Sequence, residues 1–235
     1  MSSRPLPAGP LPHPRPGGQP AVPPGPDGSA PLRELLSRDA RQVAPLLLGA
    51  VLTHEGPEGT VSVRITEVEA YLGPHDSLHP DPGSHTFRGA TARNAPMFGP
   101  AGHLYVYFSY GMHHCANIVC GPAGVASALL LRAGEVIAGQ ELALARRPTS
   151  KSAKDLASGP ARLASVLGLT TADSGRDALG APFRLELPAV PPAAVSSGPR
   201  VGVSGDGGTG DYPWRFWLTG DPTVSRYKAA KVRTA

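Results

Sequence analysis

From residue 50 to residue 71 apolar and polar positions alternate with a period of two. Ala50–Thr53 and Val61–Glu69 flank the turn-forming run Glu55-Gly-Pro-Glu-Gly59, so the segment predicts a β-hairpin. In the second strand Val61, Val63 and Ile65 share one parity, and continuing it leads to Glu67, Glu69 and Tyr71. A carboxylate on an apolar face is costly unless it is hydrogen-bonded, paired or used in chemistry. Either the strand ends near Thr66 and both glutamates are solvated, or two carboxylates are buried for a purpose.

The same patterning lays out the rest of the chain. Asp39 is a candidate N-cap for a helix running to Leu48, with Gly49 as its stop and Pro45 shortening or kinking it. Gly73–Gly102 is rich in Gly and Pro and without period, a long loop of the sort that carries function in compact domains. His103–Tyr110 is the strongest strand signal, and after Gly111-Met112 the run His113–Val119 returns antiparallel to it. Ala126–Arg132 reads as a buried strand, Glu135–Arg146 as a helix, and Ser158-Gly159-Pro160 opens a short helix to Leu167. Shorter strands are predicted over Phe183–Leu187, Arg200–Val203 and Trp214–Leu218. Strands joined by tight turns, with helices between them, predict a single α+β (mixed α/β) domain: a curved, mostly antiparallel sheet with surrounding helices and an aromatic hairpin projecting from it.

Composition alters this picture at one end. Eleven of the 28 prolines fall within Pro5–Pro31, where bulky apolar residues are nearly absent. Such a stretch cannot bury enough surface to offset its ordering entropy, so residues 1–31 read as a disordered tail and 32–235 as the folded domain. No apolar h-region follows Arg4, so the tail does not read as a signal peptide. The longest apolar run, Leu46–Leu52, is far too short for a membrane span. Cys115 and Cys120 lie five residues apart with a predicted strand over most of that interval, which suits neither a disulfide framework nor a zinc site, and a reducing cytosol is the simplest compartment. A net charge of +4 and a pI of about 9.3 permit a polyanionic partner without requiring one.

Three groups of residues bear on chemistry. Tyr105, Tyr107 and Ser109 share one face of their strand, and Leu104, Val106, Phe108 and Tyr110 the other. They form an ordinary aromatic core or a stacking platform, and Tyr110 beside Gly111 sits where a wedge would protrude. Arg132 ends Leu129-Leu-Leu-Arg132, where it either reaches solvent along its stem or pairs with a buried carboxylate. Arg88 and Arg93, among small residues of a loop, are either solvated or placed to grip phosphates. His75, His79, His85, His103, His113 and His114 show no spacing that would assemble a metal site.

Taken in order, Glu67-Val-Glu-Ala-Tyr-Leu-Gly73, Ser84-His85, Arg93-Asn94, Met97-Phe-Gly99, Gly102-His-Leu-Tyr-Val-Tyr107, Tyr110-Gly-Met112, Cys115-Ala-Asn117, Leu130-Leu-Arg-Ala133, Ser158-Gly-Pro160, Arg200-Val-Gly-Val203 and Arg215-Phe216 through Gly220-Asp-Pro222 resemble the alkyladenine (3-methyladenine) DNA glycosylase family in its bacterial form. The resemblance covers roughly Leu36 to Tyr227. It implies a compact domain whose aromatic hairpin enters the DNA minor groove, acting as a monomer without a cofactor, in the bacterial cytoplasm with the nucleoid. By position it implies Glu69 as general base, Arg132 as its partner, and the main-chain carbonyl of Val203 as a further contact to the water. Tyr71, His85 and Tyr107 would stack around an extruded base, Asn117 would discourage guanine, and Tyr110 with Met112 would fill the gap in the duplex. Arg88 and Arg93 would hold phosphates. Two departures stand out: the segment from Gly73-Pro74 to His85 is longer than usual, and the usual Thr-Pro-Arg-Asn reads Thr91-Ala-Arg-Asn94.

The implied reaction removes damaged purines from duplex DNA: 3-methyladenine and 7-methylguanine first, hypoxanthine or ethenoadenine as further candidates. The extruded base is released by a Glu-activated water, which leaves an abasic site. Excision by an amine nucleophile is disfavoured, because Lys151, Lys154, Lys228 and Lys231 are all late in the chain. The rival class is a non-catalytic DNA- or RNA-binding module that stacks bases on the same aromatic strand. It leaves Glu69 unexplained, since a carboxylate repels phosphate.

Overall fold

The computed structural model describes residues 29–109 and 111–230. Most of the expected tail and the wedge candidate Tyr110 therefore lie outside the described residues.

The chain enters through helices α1 (Ser29–Leu36) and α2 (Ala40–Leu47). Asp39 caps α2 as its sequence position predicts, its side chain accepting from Arg41 N at 2.8 Å. Ala40, Val43, Ala44 and Leu47 recur at helical spacing and are buried against the sheet. Strands β1 (Val51–Gly56) and β2 (Gly59–Tyr71) form the predicted hairpin. β3 (Leu104–Ser109) and β4 (His113–Val119) pair antiparallel as a second one. The remaining elements are β5 (Ala128–Ala138), α3 (Gln140–Arg146), β6 (Ala157–Ser158), α4 (Pro160–Leu167), β7 (Phe183–Glu186), β8 (Val195–Gly198) and β9 (Arg215–Leu218). They build one nine-stranded sheet of order β3-β4-β5-β2-β1-β7, with β6 on β5, β9 on β2 and β8 on β9, and every strand pair is antiparallel. The result is the expected α+β class.

Two segments differ from the sequence expectation. The helix expected from Glu135 starts only at Gln140. Residues 135–138 instead prolong β5, because Glu135 and Val136 pair with Arg64 and Val63, and Glu135 takes Arg64 as a salt-bridge partner at 2.7 Å. Gly139 then turns the chain at φ 72°, packed so closely on the Thr60 carbonyl that a Cβ would collide with it. Arg200–Val203 is not a strand. Its backbone donors serve other groups: Val201 N points to the Glu69 carboxylate and Gly202 N to the Lys228 carbonyl.

The most consequential difference lies within β2. Its register with β5 shifts between Ile65 and Glu67 and again between Glu67 and Val68. The first shift adds a residue on β2, and the second adds Arg132 on β5. The core receives Val61, Val63 and Ile65 before the bulge, then Val68, Ala70 and Leu72 after it. Bulges re-aim side chains, and here the parity that carries the apolar residues changes at Thr66. Glu67, Glu69 and Tyr71 are therefore turned away from the main core to the opposite face of the sheet. Both carboxylates are fully buried all the same, at 0 % exposure. A second, small apolar cluster of Met97, Tyr105, Val119 and Ala128 lies beside Tyr71 and Tyr107.

Candidate active site

The opposite face of the sheet is the floor of a cavity of about 640 Å³. One line of paired residues crosses it: Glu69 on β2 opposes Leu130 on β5, Leu130 opposes Asn117 on β4, and Asn117 opposes Tyr105 on β3. All four line the cavity, along with Arg132, Tyr71, Tyr107 and Cys115 from the same strands. The long loop contributes His85, Arg93 and Met97, and the segment after β8 contributes Val201–Ser204. Residues far apart in sequence thus converge because antiparallel register brings them onto one row.

Glu69 sits at the deep end. Its Oε1 accepts the backbone N–H of Val201 at 2.6 Å, and its Oε2 accepts the Tyr71 hydroxyl at 2.9 Å. Arg132 Nη1 lies 3.4 Å from Oε1. Glu67, two residues earlier, is fully engaged elsewhere. Its Oε1 accepts from Arg132 Nε at 2.9 Å and Arg215 Nε at 2.6 Å, and its Oε2 accepts from Ser225 N at 2.7 Å. Arg132 also donates Nη2 to Ser225 Oγ at 3.2 Å. Glu67 therefore fixes the guanidinium that faces Glu69, and of the two open readings of Arg132 the buried pairing holds. Two carboxylates and two guanidinium groups leave this corner formally neutral, the condition under which buried charge is tolerated.

The walls are aromatic. Tyr71 is covered on one side by Arg200, whose Cζ lies 4.5 Å from the ring centroid. Arg200 is itself forked onto Asp81 by two bonds of 2.7 Å and also donates to the carbonyls of Ala70 and Gly207. Asp81 accepts from Leu72 N and Gly83 N as well, so it pins the long loop to the end of β2. Opposite, His85 meets Tyr107 edge to face with centroids 4.6 Å apart, and its Nδ1 is 3.2 Å from the Tyr105 hydroxyl. Burial, reinforced by the nearby Arg93 charge, holds the His85 ring below the usual histidine range, so it is neutral at pH 7. Burial pushes the Tyr105 hydroxyl up to about 12, and it also raises those of Tyr71 and Tyr107 well above the usual tyrosine range. For Tyr71 this concerns its hydroxyl end; the ring is partly exposed to the cavity.

The remaining sequence candidates separate. Arg93 lines the cavity, donating to the Phe108 carbonyl at 3.1 Å with its guanidinium 5.7 Å from the Tyr107 ring, while Arg88 is exposed outside it. Asn117 is buried, its Nδ2 donating to the Tyr105 carbonyl at 2.9 Å, which sets the orientation of its amide. Val203 lines the cavity, but its carbonyl oxygen is packed on Gly208; the main-chain group that reaches Glu69 is Val201 N–H. Met112 is exposed on the turn between β3 and β4. Cys115 and Cys120 are both buried free thiols.

Sequence reasoning missed Asp81 and Ser225, and did not see what Glu67, Arg200 and Arg215 do. Arg200 and Arg215 stand at conspicuous places in the matched motifs, and a wholly buried arginine demands a carboxylate partner. Asp81 gave no signal, because it lies in a loop without periodicity and its role exists only once Arg200 is beside it.

Known proteins resemble this chain over most of its length. A family model described as methylpurine-DNA glycosylase matches residues 34–222. A protein of Streptomyces avermitilis is 55% identical over 212 residues, covering 88% of this chain and 96% of its own length. One from Leifsonia xyli is 54% identical over 202 residues, covering 84% and 92%, and one from Nocardia farcinica is 50% identical over 198 residues, covering 83% and 90%. All three carry the name "Putative 3-methyladenine DNA glycosylase".

Proposed function

Because the chain belongs to the methylpurine-DNA glycosylase family, we propose that its cavity receives a purine extruded from duplex DNA and that Glu69 activates the water which releases it. The enzyme is a monofunctional DNA glycosylase. One observation carries the mechanistic reading: a fully buried carboxylate, held by a backbone N–H, a tyrosine hydroxyl and an arginine, lies at the floor of an aromatic cavity. A site that only binds nucleic acid gains nothing from that group.

Several residues of the cavity have a part in the reaction. Tyr71 on one side and His85 with Tyr107 on the other form the slot for the base, and Asn117 lies at its floor. As the bond between the sugar C1′ and the base nitrogen breaks, positive charge grows on the sugar. Ionised Glu69 stabilises that charge and takes a proton from water while the water oxygen bonds to C1′. The bonding electrons leave with the base. A cationic base such as 3-methyladenine or 7-methylguanine departs neutral and needs no acid. A neutral base such as hypoxanthine or ethenoadenine needs a proton, and the cavity offers a neutral His85 and tyrosines whose hydroxyls are held above the ordinary range. These groups support a preference for cationic lesions.

Among the described residues lining the cavity there is no lysine to form a Schiff base, which supports reading the reaction as hydrolysis. The Lys228 carbonyl accepts from Gly202 N, and its side chain is exposed. Duplex DNA makes the cytoplasm, with the nucleoid, the place of action, and we read the enzyme as a monomer there. Among the described residues no helix is long and apolar enough to cross a membrane.

The reading is tested with a duplex oligonucleotide carrying one 7-methylguanine, incubated with the protein in EDTA. An abasic site, scored by alkaline strand cleavage, is the expected product. Binding without an abasic site leaves the non-catalytic module standing, and strand cleavage without alkali points to a lyase. Selectivity is tested at Asn117, whose buried amide faces the base slot. Asn117→Ser removes bulk and a donor from the cavity floor, so release of unmodified guanine in long incubations is expected to rise by about tenfold. An unchanged base preference would make Asn117 a strand residue that only ties β4 to the Tyr105 carbonyl.

A further inference from the structure

We propose that Tyr71 has a second role, in which its hydroxyl positions Glu69 for water activation, so that occupancy of the base platform and the poise of the carboxylate are coupled through one side chain. The inference rests on Glu69 being the water-activating group. Tyr71 and Glu69 are two residues apart on β2 and point the same way beyond the bulge, so the phenol reaches back over the carboxylate. The Tyr71 hydroxyl donates to Oε2 at 2.9 Å, while Val201 N occupies Oε1 at 2.6 Å. With one strong donor on each oxygen the carboxylate cannot rotate about its terminal bond without losing both. Burial, with the adjacent Glu69 charge, raises the Tyr71 hydroxyl well above the usual tyrosine range, so it is a donor throughout the working pH.

The ring carrying that hydroxyl is held from behind. Arg200 stacks on it at 4.5 Å and is forked to Asp81, with no freedom of its own at 0 % side-chain exposure. The free face of Tyr71 is thus the one surface of the Glu69–Tyr71–Arg200–Asp81 assembly that a base can press on. A base stacked there fixes the ring tilt, and through the hydroxyl it fixes Glu69. The groups able to modulate Glu69 from neighbouring elements are Arg132 on β5, Tyr107 on β3 and Arg200 after β8, with Glu67 on its own strand.

Tyr71→Phe separates the two roles, because it keeps the ring and removes the donor. Affinity for a duplex carrying a tetrahydrofuran abasic analogue is expected to stay within about threefold of the parent. The saturated single-turnover rate on 7-methylguanine is expected to fall about ten- to a hundredfold, the usual range for a hydrogen bond to a charged group. Replacing Tyr71 by 3-fluorotyrosine, which keeps the donor and nearly the same shape, should hold the single-turnover rate within about threefold of the parent, and serves if the Phe variant folds poorly. An unchanged rate, or a rate loss matched by an equal loss of affinity, overturns the inference. Glu69→Gln separates it from its premise: full turnover there removes the base assignment and the inference together. A dead Glu69→Gln beside an unchanged Tyr71→Phe removes only the second role of Tyr71.

Discussion

Glu69→Gln is expected to lower single-turnover excision of 7-methylguanine by about a hundred- to ten-thousandfold, the range associated with loss of a positioned general base. Affinity for lesion-bearing duplex should change little, and any fall in melting temperature should be smaller than in Glu67→Gln, because Arg132 lies 3.4 Å from Glu69 but spends its Nε hydrogen bond on Glu67. The geometry explains why the effect is confined to chemistry. The amide oxygen of Gln can take the place of Oε1 and accept from Val201 N, while its NH₂ occupies the position of Oε2 and donates to a Tyr71 hydroxyl that rotates to accept. Every buried polar group keeps a partner, but the amide neither takes a proton from water nor carries the charge that opposes the forming sugar cation. Turnover within about tenfold of the parent would remove Glu69 from the role of base.

The sequence pointed to Glu69, though for a reason the fold revises. The β1–β2 hairpin, the β3–β4 pair, α2 with its Asp39 cap and α4 with its leading Pro160 were legible because each carries a local signal: alternation, turn residues or a cap. Glu135–Ala138 was misread because strong helix-forming residues further on dominate the window, whereas pairing with β2 decides the outcome. Parity along β2 correctly flagged carboxylates among apolar neighbours, yet it placed them on the core face. Bulges at Thr66 and Arg132 cannot be read from one strand, because a register shift is a property of two. The aromatic face of the cavity was legible from the split of Tyr105 and Tyr107 against Leu104 and Val106, which the structure reproduces in two separate apolar clusters. Asp81 remained hidden, as its importance is its distance from Arg200, a contact spanning more than a hundred residues.

Glu67→Gln, which sequence alone would treat as a mild control beside Glu69→Gln, is expected to be the more damaging change to the fold. The Glu67 carboxylate is buried, accepts three hydrogen bonds and is the common partner of Arg132 and Arg215. In the Gln variant the amide oxygen can still accept from the two Nε–H groups. Its NH₂ must then face the Ser225 N–H, donor against donor, and the two guanidinium groups share one remaining carboxylate in place of two. Breaking a buried ion pair on one side costs about 3–5 kcal/mol. For a domain of this size that lowers the melting temperature by about 6–20 °C. The activity loss has a different source. Arg132 is aimed at Glu69 by its Nε bond to Glu67 and its Nη2 bond to Ser225, so weakening the first lets Nη1 drift from its 3.4 Å position. A further decrease in the single-turnover rate, beyond the fraction of unfolded protein, is therefore expected at temperatures well below the melting point. Differential scanning calorimetry and single-turnover kinetics at about 15 °C read the two effects separately. Melting within about 2 °C of the parent would mean that Arg215 and Ser225 hold Arg132 without the Glu67 charge. A stable variant with a normal rate would remove Glu67 from the positioning of Arg132 altogether.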